Sequence, residues 1–166
     1  MAKTVRESPK AHAVPTEPWP TAFVPFYEEH FGHAVRLARL IVGRADVAEE
    51  LAQDVFVRLS RRWDLIEVPA AYLRRSVVNA ATRHLEQRSR ERAYVQGQRL
   101  ADVPGPEVAE TLEALERLSP RRRTAIVLRF YEDLSDQEIA QILGCRPVSV
   151  RSLIHRALRQ LEKDLS

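Results

Sequence analysis

The sequence predicts an all-α protein made of two small helical domains joined by a flexible linker, the second containing a helix-turn-helix. Three observations predict it. Apolar residues recur at three- and four-residue steps along most of the chain from Thr21 onward, the period of a helix with one buried face. Hydrophobic residues make up 45% and charged residues 30% of 166 residues with only 5 glycines, a composition typical of soluble helical proteins. Finally, the periodicity fails around Gly97–Pro106, where Gly97, Pro104, Gly105 and Pro106 punctuate the chain and mark a linker.

The elements follow in order. Residues 1–20 carry Pro9, Pro15, Pro18 and Pro20 with few large apolar side chains, so they are expected to be a disordered tail. The first helix places Phe23, Tyr27, His30, Ala34, Leu37, Ala38 and Ile41 on one face and closes at Gly43. Asp46 is expected to open the second, with Glu49 completing a capping box. Ala48, Leu51, Ala52, Val55, Phe56 and Leu59 form its apolar stripe, and Glu49, Glu50, Gln53 and Asp54 lie toward the other side. Arg61–Val68 reads as a loop carrying Trp63, and Pro69 suits the first turn of a third helix. On that helix, about Ala70–Arg90, a 100° step gathers Leu73, Val77, Ala80, Ala81 and His84 toward the core. Tyr72, Arg75, Ser76, Asn79 and Arg83 gather opposite.

Beyond the linker, Val108, Leu112, Leu115 and Leu118 mark a short helix, and Ala125, Ile126, Leu128 and Phe130 another. The densest local signal lies in Leu134–Leu161. Ser135 and Glu138 form an S-x-x-E capping box, Gly144 stands where a left-handed residue must end the helix, and Pro147 starts the next. That next helix turns Val150, Leu153, Ile154, Ala157, Leu158 and Leu161 inward. Arg151, Ser152, His155, Arg156 and Arg159 are left outward. A basic helix behind a tight Gly-containing turn is what major-groove reading requires, because Arg can bond guanine O6 and N7 together. An ordinary helical hairpin with a charged surface has the same pattern.

Charge arrangement says more than the net +3. Asp46–Asp54 is acidic, Ser60–Ala93 is rich in Arg, Glu107–Glu116 is acidic again, and Arg146–Lys163 is strongly basic. Two separated basic segments suit two contacts with a polyanion, although charge runs are commonly solvated faces. Other chemistries lack their residues. Cys145 is the single cysteine, so neither an internal disulfide nor a Cys-rich zinc site is available. His30 and His33 have no matching ligand pair. The carboxylates Glu49, Glu50 and Asp54 have no nucleophile or phosphate loop beside them, so neither catalytic residues nor a cofactor are expected. No apolar run reaches the roughly 18 residues of a membrane span, and no signal peptide opens the chain. A cytoplasmic protein is expected.

The run Asp46-Val47-Ala48-Glu49-Glu50-Leu51-Ala52-Gln53-Asp54-Val55-Phe56 resembles region 2 of the sigma-70 family, particularly its extracytoplasmic-function (ECF) group. Tyr72-Leu73 to Asn79 resembles the promoter-reading helix of the same region. Leu118-Ser119-Pro120-Arg121, Ile139-Ala140 with Leu143-Gly144, and Val150-Arg151-Ser152 with His155-Arg156-Ala157 resemble region 4. The resemblance covers about Phe23–Leu161 in order, and divides the chain into a tail (1–20), region 2 (21–92), a linker (93–106) and region 4 (107–166).

That resemblance implies a non-enzymatic sigma factor whose partners are core RNA polymerase and promoter DNA. An anti-sigma factor is a common further partner in the family, with no residue here identifying one. Membrane insertion and a small-molecule substrate are not implied. By resemblance, Glu50, Gln53, Asp54 and Phe56 bind core polymerase. Arg62, Trp63, Tyr72, Arg75, Ser76, Asn79 and Arg83 serve the −10 element, with Trp63 and Tyr72 as aromatic neighbours of an unstacked base. Ser149, Arg151, Ser152, His155, Arg156 and Arg159 face the −35 element. The chain departs from the family pattern at Arg83, where Asp is frequent, at Glu86, where Arg is common, and at Arg146, where Ser usually caps the recognition helix. A dimeric helix-turn-helix regulator that binds DNA without polymerase is the rival reading.

Overall fold

The computed structural model describes residues 19–92 and 106–165, and the described residues contain helices and no strands. The tail lies outside them apart from residues 19 and 20, and the linker apart from residue 106. Four elements precede the gap: α1 (Phe23–Val42), α2 (Ala45–Arg61), a single 3-10 turn (Trp63–Leu65) and α3 (Pro69–Arg92). Four follow it: α4 (Pro106–Glu116), α5 (Pro120–Phe130), α6 (Asp136–Leu143) and α7 (Pro147–Leu165).

The α1–α3 core is built by the stripes read from the sequence. Ala34, Leu37, Ala38 and Ile41 of α1 and Ala48, Ala52, Val55 and Leu59 of α2 are almost completely buried. At the far end, Phe56 lies among Phe23, Phe26, Tyr27 and Phe31, with ring centroids 5.0–6.2 Å from it, spacings at which aromatic pairs attract through their edges and faces. Gly43 ends α1 at φ 79°, and its N–H bonds the Arg39 carbonyl at 2.8 Å. The start of α2 differs from expectation. Asp46 is not a cap: the helix begins one residue earlier behind Arg44, without a side-chain cap. The Asp46 carboxylate instead accepts two bonds from the Arg44 guanidinium. That guanidinium holds the Asp46 carboxyl below its ordinary pKa, and negative charge in a first turn also suits the helix dipole.

The helix-turn-helix forms as its punctuation requires. Ser135 Oγ accepts from the Glu138 N–H at 3.3 Å, and the Ser135 N–H donates to Glu138 Oε2 at 2.8 Å. Gly144 takes φ 62°, and the Cys145 N–H reaches back to the Ala140 carbonyl at 3.0 Å. At the start of α7, Arg146 offers its backbone carbonyl to the N–H groups of Ser149 and Val150. Pro147, at the first helical position, has no N–H to satisfy. Leu158, expected inward, is 38% exposed.

One feature has no counterpart in the sequence pattern: the two helical groups share a single core. In α5, six successive residues from Arg123 to Leu128 are buried, which an amphipathic helix on the face of a small domain cannot achieve. Helix α5 is covered on one side by α7 and α6 and on the other by α1 and α3. The same packing buries Val78, which the α3 pattern leaves off the core face. Arg74, Val78 and Thr82, spaced four apart, form one row on α3. At its two ends, Arg74 Nε donates to Glu132 at 2.8 Å and the Thr82 hydroxyl meets that of Thr124 at 3.0 Å.

Candidate polymerase and nucleic-acid interface

Glu50, Gln53 and Asp54 project from the exposed side of α2, as the sequence leads one to expect. Phe56 does not join them. It is 2% exposed and belongs to the aromatic core, because its position on the helix is that of the apolar stripe rather than the acidic face. Gln53 borders an apolar groove of about 490 Å³ lined by Trp19, Phe23, Val24, Tyr27 and Phe56. Val24, at 43% exposure, belongs to this face although no acidic pattern in the sequence marks it. Acidic rim and apolar groove together form a surface suited to a basic, amphipathic partner segment.

On α3, Tyr72, Ser76, Asn79 and Arg83 converge on one concavity of about 170 Å³. Helix α2 supplies Arg58 to its wall, together with Val55. Arg58 escaped the sequence reading because nothing in a linear pattern says which flank of α2 meets α3. Its one visible signal was a cation one turn beyond Asp54, whose backbone carbonyl accepts from Arg58 Nε at 3.3 Å. With Arg58 and Arg83 in its lining, the concavity carries two guanidinium groups beside Asn79. Such a site offers an unstacked nucleotide an aromatic ring, amide hydrogen bonds and cations for its phosphates.

Arg75 and Arg62 are exposed outside this concavity. Trp63 is not brought to it either: its indole packs 5.4 Å from Phe23 and 5.2 Å from Phe26, anchoring the α2–α3 turn to the core. The anchor leaves Leu65 83% and Val68 61% exposed on that turn. His84, expected in the core, is half-buried, and burial, followed by the Arg88 charge, lowers its pKa.

Helix α7 presents Arg151, Ser152, His155, Arg156 and Arg159 to solvent, while Ser149 is half-buried. Arg151 lies 3.6 Å from Asp136 of α6, a carboxylate that Arg129 also engages. Val150 and Ala157 are fully buried beneath this face, so the five outward residues ride on a packed scaffold rather than on a loop. A rigid helix carrying three Arg, a Ser and a His on one face has the donors for base edges and phosphates. Among the described residues no group of His, Cys, Asp or Glu could hold a metal ion, and no helix is long and apolar enough to cross a membrane.

An acidic helix, a concavity beside it that gathers Tyr72, Asn79 and two Arg side chains, and a basic helix-turn-helix suit a transcription protein of two parts. Residues 26–91 match the family model described as sigma-70 region 2, and residues 108–161 the one described as sigma-70, region 4. RNA polymerase sigma-E factor of Streptomyces coelicolor is 33% identical over 141 residues, spanning 79% of this chain and 78% of its own. The ECF RNA polymerase sigma factor SigE of Mycolicibacterium smegmatis is 31% identical over 83% of this chain and 59% of its own. Among solved structures, the sigma factor RpoE of Bartonella quintana, in complex with the anti-sigma factor NepR, matches with a TM-score of 0.73. It is 24% identical over 88% of this chain and 98% of its own, and this likeness concerns the fold. The chain belongs to the sigma-70 family of RNA polymerase sigma factors, in its ECF group. Its function is to bind core RNA polymerase and direct promoter recognition in transcription initiation.

Proposed function

We propose that the three surfaces divide the work of a sigma factor as follows. Glu50, Gln53 and Asp54 dock on core polymerase, with the groove around Val24 taking the apolar part of that contact. Tyr72, Ser76, Asn79, Arg83 and Arg58 receive the −10 strand once it is unstacked, while Arg62 and Arg75 hold its backbone from outside the concavity. Arg151, Ser152, His155, Arg156 and Arg159 read the −35 duplex. Residues 21–92 and 107–166 are the corresponding domains and 93–106 their connection. The protein itself catalyses nothing, because nucleotide transfer belongs to the polymerase, and it acts in the cytoplasm, where polymerase and promoters are. The likeness to RpoE, whose structure is a complex with an anti-sigma factor, supports an anti-sigma factor as a further partner.

The observation that carries this reading is the pairing of opposite surfaces in one chain. An acidic helix face cannot lie on DNA phosphates and so serves a protein partner, whereas the basic face of α7 serves DNA. A regulator that binds DNA alone needs no such acidic face. Size-exclusion chromatography with purified core polymerase, beside binding to free promoter DNA, tests the reading. Co-elution with core, abolished by Asp54→Arg and preserved by Arg156→Ala, is expected. Core affinity unchanged by Asp54→Arg would remove the docking assignment.

A further inference from the structure

Helix α7 has one outward position that the −35 residues named above do not fill. Val148, its second residue, is 53% exposed, whereas Val150 is fully buried. Ser152, His155 and Arg159 follow Val148 at steps of four, three and four residues, so all three stand within about 40° of it around the helix. Arg151 is about 60° away, at the edge of the same face. Val148 is therefore the apolar member of a polar row and stands at its N-terminal end. Ser149 lies about 100° round from it and is half-buried. The first outward position of the helix thus belongs to the valine and not to the serine.

The start of α7 holds this side chain in place. The Arg146 carbonyl accepts from the N–H groups of Ser149 at 2.9 Å and Val150 at 3.2 Å, and the Val150 side chain anchors the first turn in the core. A β-branched valine is stiff about its first torsion, so its methyl groups stay in front of the row. A single exposed valine on a solvated helix face is ordinary. This one stands among the side chains assigned above to the −35 duplex, an assignment on which the following inference rests.

The row is about 16 Å long, because eleven residues at about 1.5 Å each separate Val148 from Arg159. The major groove is about 12 Å wide, so the two ends of the row cannot both touch base edges. In helix-turn-helix proteins the N-terminal residues of the second helix reach the bases. That leaves Arg159 to a phosphate and brings Val148 against a base edge. A valine makes no hydrogen bond. Against a purine edge or a cytosine amino group it strips water from polar atoms and returns nothing, which is unfavourable. The apolar group that a base pair offers in the major groove is the 5-methyl of thymine.

We propose that Val148 reads a thymine of the −35 element through its 5-methyl group, selecting T·A at that pair by apolar contact while its neighbours select by hydrogen bonds.

The test removes the methyl group and nothing else. Core polymerase carrying the full chain is bound to a promoter duplex that it transcribes, with each −35 thymine of either strand replaced in turn by deoxyuridine, which pairs identically but lacks the 5-methyl. The wild type should lose about fourfold in affinity at one thymine, the worth of burying one methyl-sized group. Val148→Ala should bind the unmodified promoter several-fold more weakly and lose most of the difference between thymine and deoxyuridine at that position. Its melting temperature should equal that of wild type, since the side chain is exposed. Indifference of the wild type to deoxyuridine at every −35 thymine would overturn the proposal. So would a loss at one thymine that persists undiminished in Val148→Ala. Equal losses for Arg156→Ala on intact and scrambled −35 sequences would instead overturn the assignment of α7, and the proposal with it.

Discussion

Gly43 and Gly144 both hold left-handed backbone at a helix C-terminus, at φ 79° and 62°, yet their surroundings differ. A Cβ built on Gly144 meets nothing within 4 Å. On Gly43 it lands 2.9 Å from Glu116 Oε1 and 3.1 Å from Arg123 Nη2. Gly144→Ala therefore suffers the left-handed penalty, about 1–2 kcal/mol, less about 0.4–1 kcal/mol for the lower entropy of the unfolded chain. Gly43→Ala suffers the same and must also displace its neighbours. Glu116 is exposed and swings aside at little cost. Arg123 is buried, and its Nε donates to the Leu40 carbonyl in the last turn of α1 at 2.8 Å. Losing that charge-assisted bond costs about 1.5–3 kcal/mol. The excess of Gly43→Ala over Gly144→Ala should thus be about 1.5–3 kcal/mol if that bond is lost. Urea unfolding followed by far-UV circular dichroism at 25 °C measures both. If the two substitutions cost the same, the contact of Arg123 with the end of α1 contributes nothing to stability, and the reading that α5 completes α1 fails.

Further predictions separate scaffold from contact surface. Phe56→Ala should destabilise the fold by about 3–5 kcal/mol, with a fall in melting temperature, whereas Asp54→Arg should leave that temperature within a few degrees of wild type while abolishing core binding. Arg156→Ala should weaken initiation from promoters with an intact −35 element by about 1–3 kcal/mol; an equal loss on a scrambled −35 sequence would remove Arg156 from base reading. Ser135→Ala should cost about 1 kcal/mol as a lost cap. The Ser135 N–H and hydroxyl hold the Glu138 carboxyl below its ordinary 4.5, so the stability linked to Glu138 is present above that value and fades as pH falls through its folded pKa. In Ser135→Ala the Glu138 titration should move up, read by NMR. His84, held below 6.5 by burial, should contribute stability fully above that pH and lose it progressively below. Replacing His84 with Gln should flatten that part of the stability–pH curve, and an unchanged curve would contradict the assignment.

Much of this protein was legible from local signals, because those signals act within one turn of helix. Gly43, Gly144 and the Ser135–Glu138 box each satisfy backbone groups a few residues away and Pro147 has no N–H to satisfy, so these helix ends and the helix-turn-helix followed from sequence. The outward sets Glu50, Gln53 and Asp54 on α2 and Arg151, Ser152, His155, Arg156 and Arg159 on α7 follow from the 100° step alone. That same periodicity assigns Phe56 to the buried stripe, where it lines the apolar groove instead of standing on the acidic face. Tertiary structure decided what depends on which helix meets which. Trp63 turned into the aromatic core, whereas the turn of Asp46 to Arg44 is a local bond that the capping pattern overlooked. Arg58 came to the α3 concavity from a helix more than ten residues earlier in the chain. Above all, the burial of α5 on every side, with Arg123, Val78 and Glu132 in one seam, has no periodic signature. A charged residue in a linear pattern reads as solvated until a partner from the other half of the chain supplies the hydrogen bonds that make its burial affordable.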